Sequence, residues 1–364
     1  MDRFRTCFAD LADPRTGNAQ RHDLLELLLI ALAATLAGAE SCVDMAEFGR
    51  AKEPLLRRFL ALPGGVASHD TFSRLFRLLD PRAFEACFGR FVAAFAARAE
   101  AVVAIDGKTA RRSFDRRAGS GPLHLISAWA CEQRLVLGQR RVDGHSNEIT
   151  ALPELLAMLA LEGCTVTADA MHCQKATAQA ILDRGGEYIL ALKGNQPELL
   201  DDVRTLLDDP AAPPDDVAET VDGDHGRIEV RRAAIVHDVA WLAETHGWPG
   251  LKAVGRVTAT REIDGQATAT SRCYLLSKAL PAARFAEIVR MHWQIENRLH
   301  WVLDVVMDED QSRTRKDHGP ENLARLRRFA LNLLRANADR GSTRGKIKRA
   351  GWDDAFLLRI LHGA

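Results

Sequence analysis

The chain has 364 residues, with 49 Lys or Arg against 49 Asp or Glu, 27% charged and 47% hydrophobic residues. These values are ordinary for a globular protein of two or three domains. No apolar run is long enough to cross a bilayer: the best candidate, Leu24 to Ala39, is short and flanked by Asp23 and Glu40. The first residues, Met1-Asp-Arg-Phe-Arg, lack the form of a signal peptide. Seven scattered cysteines suit reduced thiols in a cytoplasmic protein.

Residues 1 to 98 read as helical. Leu24 to Leu36 is a strongly apolar helix, and Asp44 to Phe59 is a second, with Pro54 near a helix start. Gly64-Gly65 breaks the pattern. Ser68 then has the chemistry of an N-cap, and Asp70 to Leu79 places Phe72, Leu75, Phe76 and Leu79 on one face. Arg82 to Ala99 is a further helix carrying Phe84, Phe88, Phe91, Val92 and Phe95. Short helices around a glycine turn suit either a packed bundle or a helix-turn-helix reader of DNA. In the second case Ser68 to Leu79 is the recognition helix, with Arg74 facing a base edge.

The middle of the chain alternates. Val102 to Ile105 is a short run of β character, read as a strand buried on both faces, and Asp106-Gly107 ends it. An isolated Asp-Gly is usually a turn. A second copy changes that reading: Cys164-Thr-Val-Thr-Ala-Asp169 is again a β-rich run ending in aspartate. Two buried strands that each deliver an Asp suggest carboxylates converging on a divalent metal. Leu123 to Cys131 and Arg134 to Val142 form an antiparallel pair around Glu132-Gln133. Glu148 to Leu161 and Cys173 to Arg184 are helices, and Tyr188 to Leu192 is another strand. This succession of elements is the ribonuclease H arrangement, an α/β core in which the first and fourth strands are neighbours and would bring Asp106 beside Asp169.

The acidic stretch Asp201 to Asp224 reads as solvated loop. Gly226 to Val236, Leu251 to Glu262 and Ala267 to Leu276 are β-rich, the last two joined by the hairpin signal Asp264-Gly265. Residues 215 to 280 are therefore expected to be a β-rich insertion. Pro281 to Val306 reads as one long helix. His292, Glu296, His300 and Asp304 fall at steps of four and share a face, which makes Glu296 a candidate third carboxylate.

Zero net charge argues against a nucleic-acid binder, but the charge is unevenly spread. From Arg313 to Arg349 there are twelve Lys or Arg against Asp317, Glu321 and Asp339. That is the footprint expected of phosphate contacts, with Arg325, Arg327 and Arg328 at its centre. A solvated helical face would give the same pattern.

Several long motifs occur in order: Ala104-Ile-Asp-Gly-Lys-Thr-Ala-Arg-Arg-Ser113, Ser146-Asn-Glu-Ile-Thr150, Asp169-Ala-Met-His-Cys-Gln174, Ala191-Leu-Lys-Gly-Asn-Gln196, His225-Gly-Arg-Ile-Glu229, and His292-Trp-Gln-Ile-Glu-Asn297 running into Leu299-His-Trp-Val-Leu-Asp304. With Ala39-Glu-Ser41 and Ser68-His-Asp-Thr-Phe72, the chain resembles the insertion-sequence transposases of the ISAs type, the H-repeat-associated proteins, over nearly its whole length.

The resemblance implies a ribonuclease-H-like DDE transposase with Asp106, Asp169 and Glu296 as catalytic triad and metal ligands. Its parts would be a helical N-terminal domain (1–98), the first part of the core (99–214), the β-rich insertion (215–280), a catalytic helix (281–310) and a basic helical C-terminal segment (311–364). Two Mg²⁺ or Mn²⁺ ions, about 3.5–4 Å apart, would activate the attacking water and relieve charge on the leaving 3′ oxygen. The freed 3′-OH would then attack target DNA. Partners are the element's terminal repeats and target DNA, met as a homodimer.

Lys108, Arg111, Arg112 and Lys193, at strand ends, together with His292, Arg298 and His300, are candidates to hold phosphates. Trp241, Trp248 and Trp293 are candidates to stack on an unpaired base. Related families carry Tyr, Arg and Lys around the Glu; here those positions hold Val289, His292 and Leu303.

Rival readings are few. Lys108-Thr109 imitates the end of a P-loop but lacks the upstream glycine. His172 and Cys173 hint at zinc without a second ligand pair of zinc-site spacing. A DNA-binding protein without catalysis, and a nuclease without strand transfer, are distinguished by cleavage and end-joining assays. Should Glu296 not be the third ligand, Asp304, Glu309 and Asp310 are next.

Overall fold

A computed structural model of the protein describes residues 1–93, 101–115, 119, 121–142, 148–224, 227–263 and 266–363. Six helices open the chain: α1 (Asp2–Phe8), α2 (Leu24–Leu36), α3 (Cys42–Ala51), α4 (Glu53–Leu56), α5 (His69–Leu78) and α6 (Pro81–Ala93). α2 is apolar on all sides and accordingly buried. The helix expected over residues 44–59 is broken in two at Lys52, and Pro54 sits in the first turn of α4, where its missing N–H costs nothing. α3 starts on a reciprocal cap between Ser41 and Asp44. Ser68 stands at the N-cap of α5 but its hydroxyl makes no capping bond. Phe95 lies outside the described residues.

A nine-stranded mixed sheet follows. Its elements are β1 (Val102–Ala110), β2 (Leu123–Ala130), β3 (Leu135–Val142), α7 (Glu148–Ala157), β4 (Thr165–Ala168), α8 (Lys175–Leu182), β5 (Glu187–Leu192), α9 (Pro197–Asp208), β6 (Asp216–Asp224), β7 (Arg227–Val236), α10 (Ala240–His246), β8 (Ala253–Ile263) and β9 (Gln266–Leu276). The strand order is β3-β2-β1-β4-β5-β9-β8-β7-β6. β1 and β4 are parallel neighbours, with Ile105 opposite Ala168. The β-rich segment does not form a separate sheet: β9 runs antiparallel to β5 and extends the same one.

The acidic stretch expected as loop is mostly regular. Asp201 to Asp208 lies in α9, whose Leu199, Leu200, Val203 and Leu207 are buried. Asp216–Asp224 is the edge strand β6; charge on an edge strand discourages pairing with a further chain. The hairpin tips Asp264-Gly265 and His225-Gly226 lie outside the described residues.

Along β1 the side chains alternate. Val102 and Ala104 enter one apolar core, Val103 and Ile105 the other. Asp106 therefore continues the Ala104 face.

The remaining elements are α11 (Ala282–His292), a π turn (Glu296–His300), α12 (Trp301–Val305), α13 (Gly319–Ala336), α14 (Thr343–Trp352) and α15 (Asp354–His362). The single helix expected over residues 281–306 is thus interrupted by a turn at Trp293 and by the π turn. α13 is a core helix. It packs on α2, α5, α6 and β3, and its Phe329 ring meets Phe4, Phe8, Phe88 and Phe91.

That position corrects the reading of the basic segment. Arg325, Arg327 and Arg328 are buried and turned inward. Arg325 pairs with Glu85 and Glu321. Arg328 meets Glu309 Oε1 at 2.7 Å, and Arg327 donates to the Glu40 carbonyl. A guanidinium so committed does not reach DNA, because leaving its partner would strand a buried charge.

Candidate active site

Asp106 ends the buried run of β1, and Asp169 immediately follows β4. They come next after the paired Ile105 and Ala168, on strands about 4.8 Å apart. Thr167, two residues before Asp169, hydrogen-bonds His292 Nδ1 at 3.0 Å, so this face of β4 looks toward α11. The same face of β1 looks toward the π turn: His300 Nδ1 lies 3.5 Å from Asp106 Oδ2 and 3.6 Å from Glu296 Oε2.

The π turn explains how one helical segment serves so long a row. In a regular α-helix each step of four residues advances about 40° round the axis, so His292 to Asp304 would fan over about 120°. A π turn holds one more residue per turn, which swings the row back. As a result His292 sits over Asp169, Glu296 and His300 over Asp106, and Asp304 over Lys108.

The electrostatics follow from this crowding. Burial, then the charges of Glu296 and Asp169, push the Asp106 carboxyl up to about 8. His300 holds Glu296 below its ordinary value, against the effect of burial. His292 does the same for Asp169, with Lys193 adding to it. Among the described residues, Asp106, Glu296 and His300 form the one group of three His, Cys, Asp or Glu whose ligand atoms lie within 4.8 Å of one another. Asp169 stands outside that group, one strand over, with His292 Nε2 at 3.8 Å from its Oδ1.

The other expected site residues divide. Lys108 does not face solvent. Its side chain is 7% exposed, and Nζ lies 2.7 Å from Asp304 Oδ1, 3.2 Å from Glu309 Oε2 and 3.4 Å from Asp310 Oδ1. It is neutralised by the very carboxylates named as reserve metal ligands, so neither it nor they stand ready for phosphate or metal. Arg111, Arg112 and Lys193 are exposed. Arg315 donates to the Arg112 carbonyl, which brings the exposed Arg313, Arg315 and Lys316 to the end of β1. Arg298 is half-buried and lines a cavity of about 290 Å³ with Arg134, Arg335 and Lys346, not the carboxylate cluster. Of the tryptophans, Trp248 is buried. Trp293 is exposed, carries Arg272 over its ring, and lines a pocket with Asp169 and Lys193.

On the opposite face of β1 lies a cluster that the sequence reading missed. Glu148, at the start of α7, receives His124 Nε2 at 2.5 Å and His172 Nε2 at 2.8 Å. Burial works against its charge, but the two imidazoles outweigh it and hold the carboxyl at about 2. His124 is fixed by Thr109, its cross-strand partner, at 2.7 Å. A Cβ on Gly107 would stand 2.3 Å from Glu148 Oε1, so only glycine fits there. His172 is accounted for by this contact, and Cys173 is buried. The His-Cys pair is therefore not a zinc motif among the described residues.

Comparison with known proteins agrees with this architecture. A family model described as "Transposase DDE domain" matches residues 97–333, and one described as "DDE_Tnp_1-associated" matches residues 5–92. The chain is 47% identical over 274 residues to an uncharacterised protein encoded in the dhlA 3′ region of Xanthobacter autotrophicus, covering 74% of this chain and 92% of that one. It is 36% identical over 353 residues to the Escherichia coli K12 protein named "H repeat-associated putative transposase YhhI", covering 94% and 93% of the two chains. No helix among the described residues is long and apolar enough to cross a membrane. The chain belongs to the H-repeat family of DDE transposases.

Proposed function

We propose that this chain cuts DNA at the ends of its insertion sequence and joins the freed 3′ ends to target DNA, using Asp106, Asp169 and Glu296 in a ribonuclease-H-like core. The observation that carries the reading is the placing, on one face of the sheet, of Asp106 within β1 and Asp169 just past the end of the parallel neighbour β4, with Glu296 beside Asp106. The strand order β3-β2-β1-β4-β5, with β2 antiparallel to its neighbours, supports the core assignment. The helical N-terminal part (1–98), the insertion (215–280) and the C-terminal segment (311–364) are read as accessory to that core.

The donor set fits a hard divalent cation. Asp106 and Glu296 offer oxygens at one point, and a cation there would offset the burial and the neighbouring negative charges that keep Asp106 protonated. Mg²⁺ or Mn²⁺, when bound, supplies Lewis-acid stabilisation and a nucleophilic water or 3′ oxygen. The chain's own residues do the rest. His292 orients Asp169. Arg111, Arg112 and Lys193, with Arg313, Arg315 and Lys316, hold the phosphate backbone. Trp293 offers an exposed aromatic face beside Asp169 for an unstacked base.

The test uses the purified chain and a duplex carrying the element's ends. Asp106→Asn, Asp169→Asn and Glu296→Gln should each abolish cleavage in Mg²⁺ and Mn²⁺ while end binding persists. Cleavage by Glu296→Gln at the wild-type rate would overturn the assignment.

A further inference from the structure

We propose that His300 is a fourth side chain of the metal site, ligating through Nδ1 the cation held by Asp106 and Glu296. This rests on the functional reading above and adds to it a nitrogen donor, and with it a metal preference.

Three observations carry it. First, Nδ1 is aimed between two carboxylates, 3.5 Å from Asp106 Oδ2 and 3.6 Å from Glu296 Oε2. Both separations exceed the usual range of a hydrogen bond. They approach the spacing of neighbouring ligands round one ion: two donors about 2.1 Å from an octahedral cation stand about 3 Å apart. Second, the imidazole is 7% exposed, so Nδ1 is screened from bulk water, and with Asp106 and Glu296 it forms the one group of three such ligand atoms within 4.8 Å of one another among the described residues. Third, the π turn spans Glu296–His300 and holds both side chains over Asp106. Single π turns inside helices often mark functional sites.

The alternative role for His300 is a cationic counter-ion to Asp106 and Glu296. The two roles exclude each other chemically, because an imidazolium has no lone pair to donate. They also differ in metal selectivity. Carboxylate and water suit Mg²⁺, Ca²⁺ and Mn²⁺ alike, whereas imidazole favours the transition metals. A mixed oxygen and nitrogen site should thus hold Mn²⁺ more tightly than Mg²⁺ and accept Ca²⁺ poorly.

The experiment is Mn²⁺ titration of the full chain without DNA, with pulsed EPR of the bound ion. Wild type should show nitrogen hyperfine coupling from one imidazole. His300→Gln and His300→Asn should lose that coupling and bind Mn²⁺ about tenfold more weakly or worse, the scale on which metal-site contacts act, with Mg²⁺ affinity less affected. His292→Gln, which removes the other nearby imidazole, should keep the coupling. Bound Mn²⁺ with no nitrogen coupling, or coupling that survives both His300 variants, would overturn the proposal. Failure of the underlying reading looks different: Asp106→Asn and Glu296→Gln would then leave Mn²⁺ binding unchanged, or wild type would bind no Mn²⁺.

Discussion

Replacing Gly107 by alanine tests whether the two sides of β1 are built as described. The new methyl would lie 2.3 Å from Glu148 Oε1, 2.7 Å from its Cδ and 2.8 Å from Oε2, where ordinary contact begins near 3.4 Å. The carboxylate must retreat by about 1 Å. It is not free to do so, because its two oxygens hold His124 and His172 at 2.5 and 2.8 Å. Retreat would stretch both bonds beyond useful length, and each hydrogen bond to a charged group contributes about 1.5–3 kcal/mol. Partial relaxation of the strand lowers the sum, so the expected loss is about 2–4 kcal/mol, the upper range of overpacking effects. Urea unfolding of wild type, Gly107→Ala, Glu148→Ala and the double variant measures it as a cycle. With Glu148 shortened the three closest contacts of the methyl are gone, so Gly107→Ala should then cost less than about 0.5 kcal/mol and the coupling should exceed about 1 kcal/mol. Equal cost of Gly107→Ala in both backgrounds would refute the reasoning.

Three further outcomes are expected. Arg328→Ala should destabilise the protein by about 3–5 kcal/mol, because Glu309 is left buried and short of a partner; thermal unfolding within a degree of wild type would contradict that. In metal-free protein the folded state keeps the Asp106 proton up to about 8, while the unfolded chain releases it near 3.8. Stability should therefore fall as pH rises across that window and level off above it. Asp106→Asn removes the loss, so its advantage over wild type in chelator should widen from low to high pH; a narrowing gap in urea titrations would reverse the sign argued here. Neutralising the exposed Arg111, Arg112 and Lys193 together should weaken DNA binding for all sequences and flatten its salt dependence, by about one unit of slope for each phosphate these side chains no longer neutralise; an unchanged slope would mean that the DNA backbone is held elsewhere.

Much of this architecture is legible in the chain without coordinates, because it is local. Val102 to Ile105 and Thr165 to Ala168 are β runs each followed by an aspartate, although β1 continues through Asp106 to Ala110 where the sequence suggested a stop, and period-two alternation predicts which residues share Asp106's face. The apolar helix at Leu24 to Leu36 and the row His292, Glu296, His300 and Asp304 follow equally from spacing. What the chain alone misassigned depends on partners distant in sequence. The guanidiniums of α13 read as a DNA face because their counter-acids, Glu85 and Glu309, lie elsewhere in the chain. Lys108 reads as a phosphate ligand for the same reason, since only folding brings Asp304, Glu309 and Asp310 around it. β6 reads as loop because an exposed edge strand needs no apolar face. The π turn has no simple composition signature, yet it decides that His300 joins Asp106 and Glu296. Charge and periodicity thus specify which side chains are available. Burial and long-range pairing decide which charges are neutralised inside the core and which remain exposed around the carboxylate cluster.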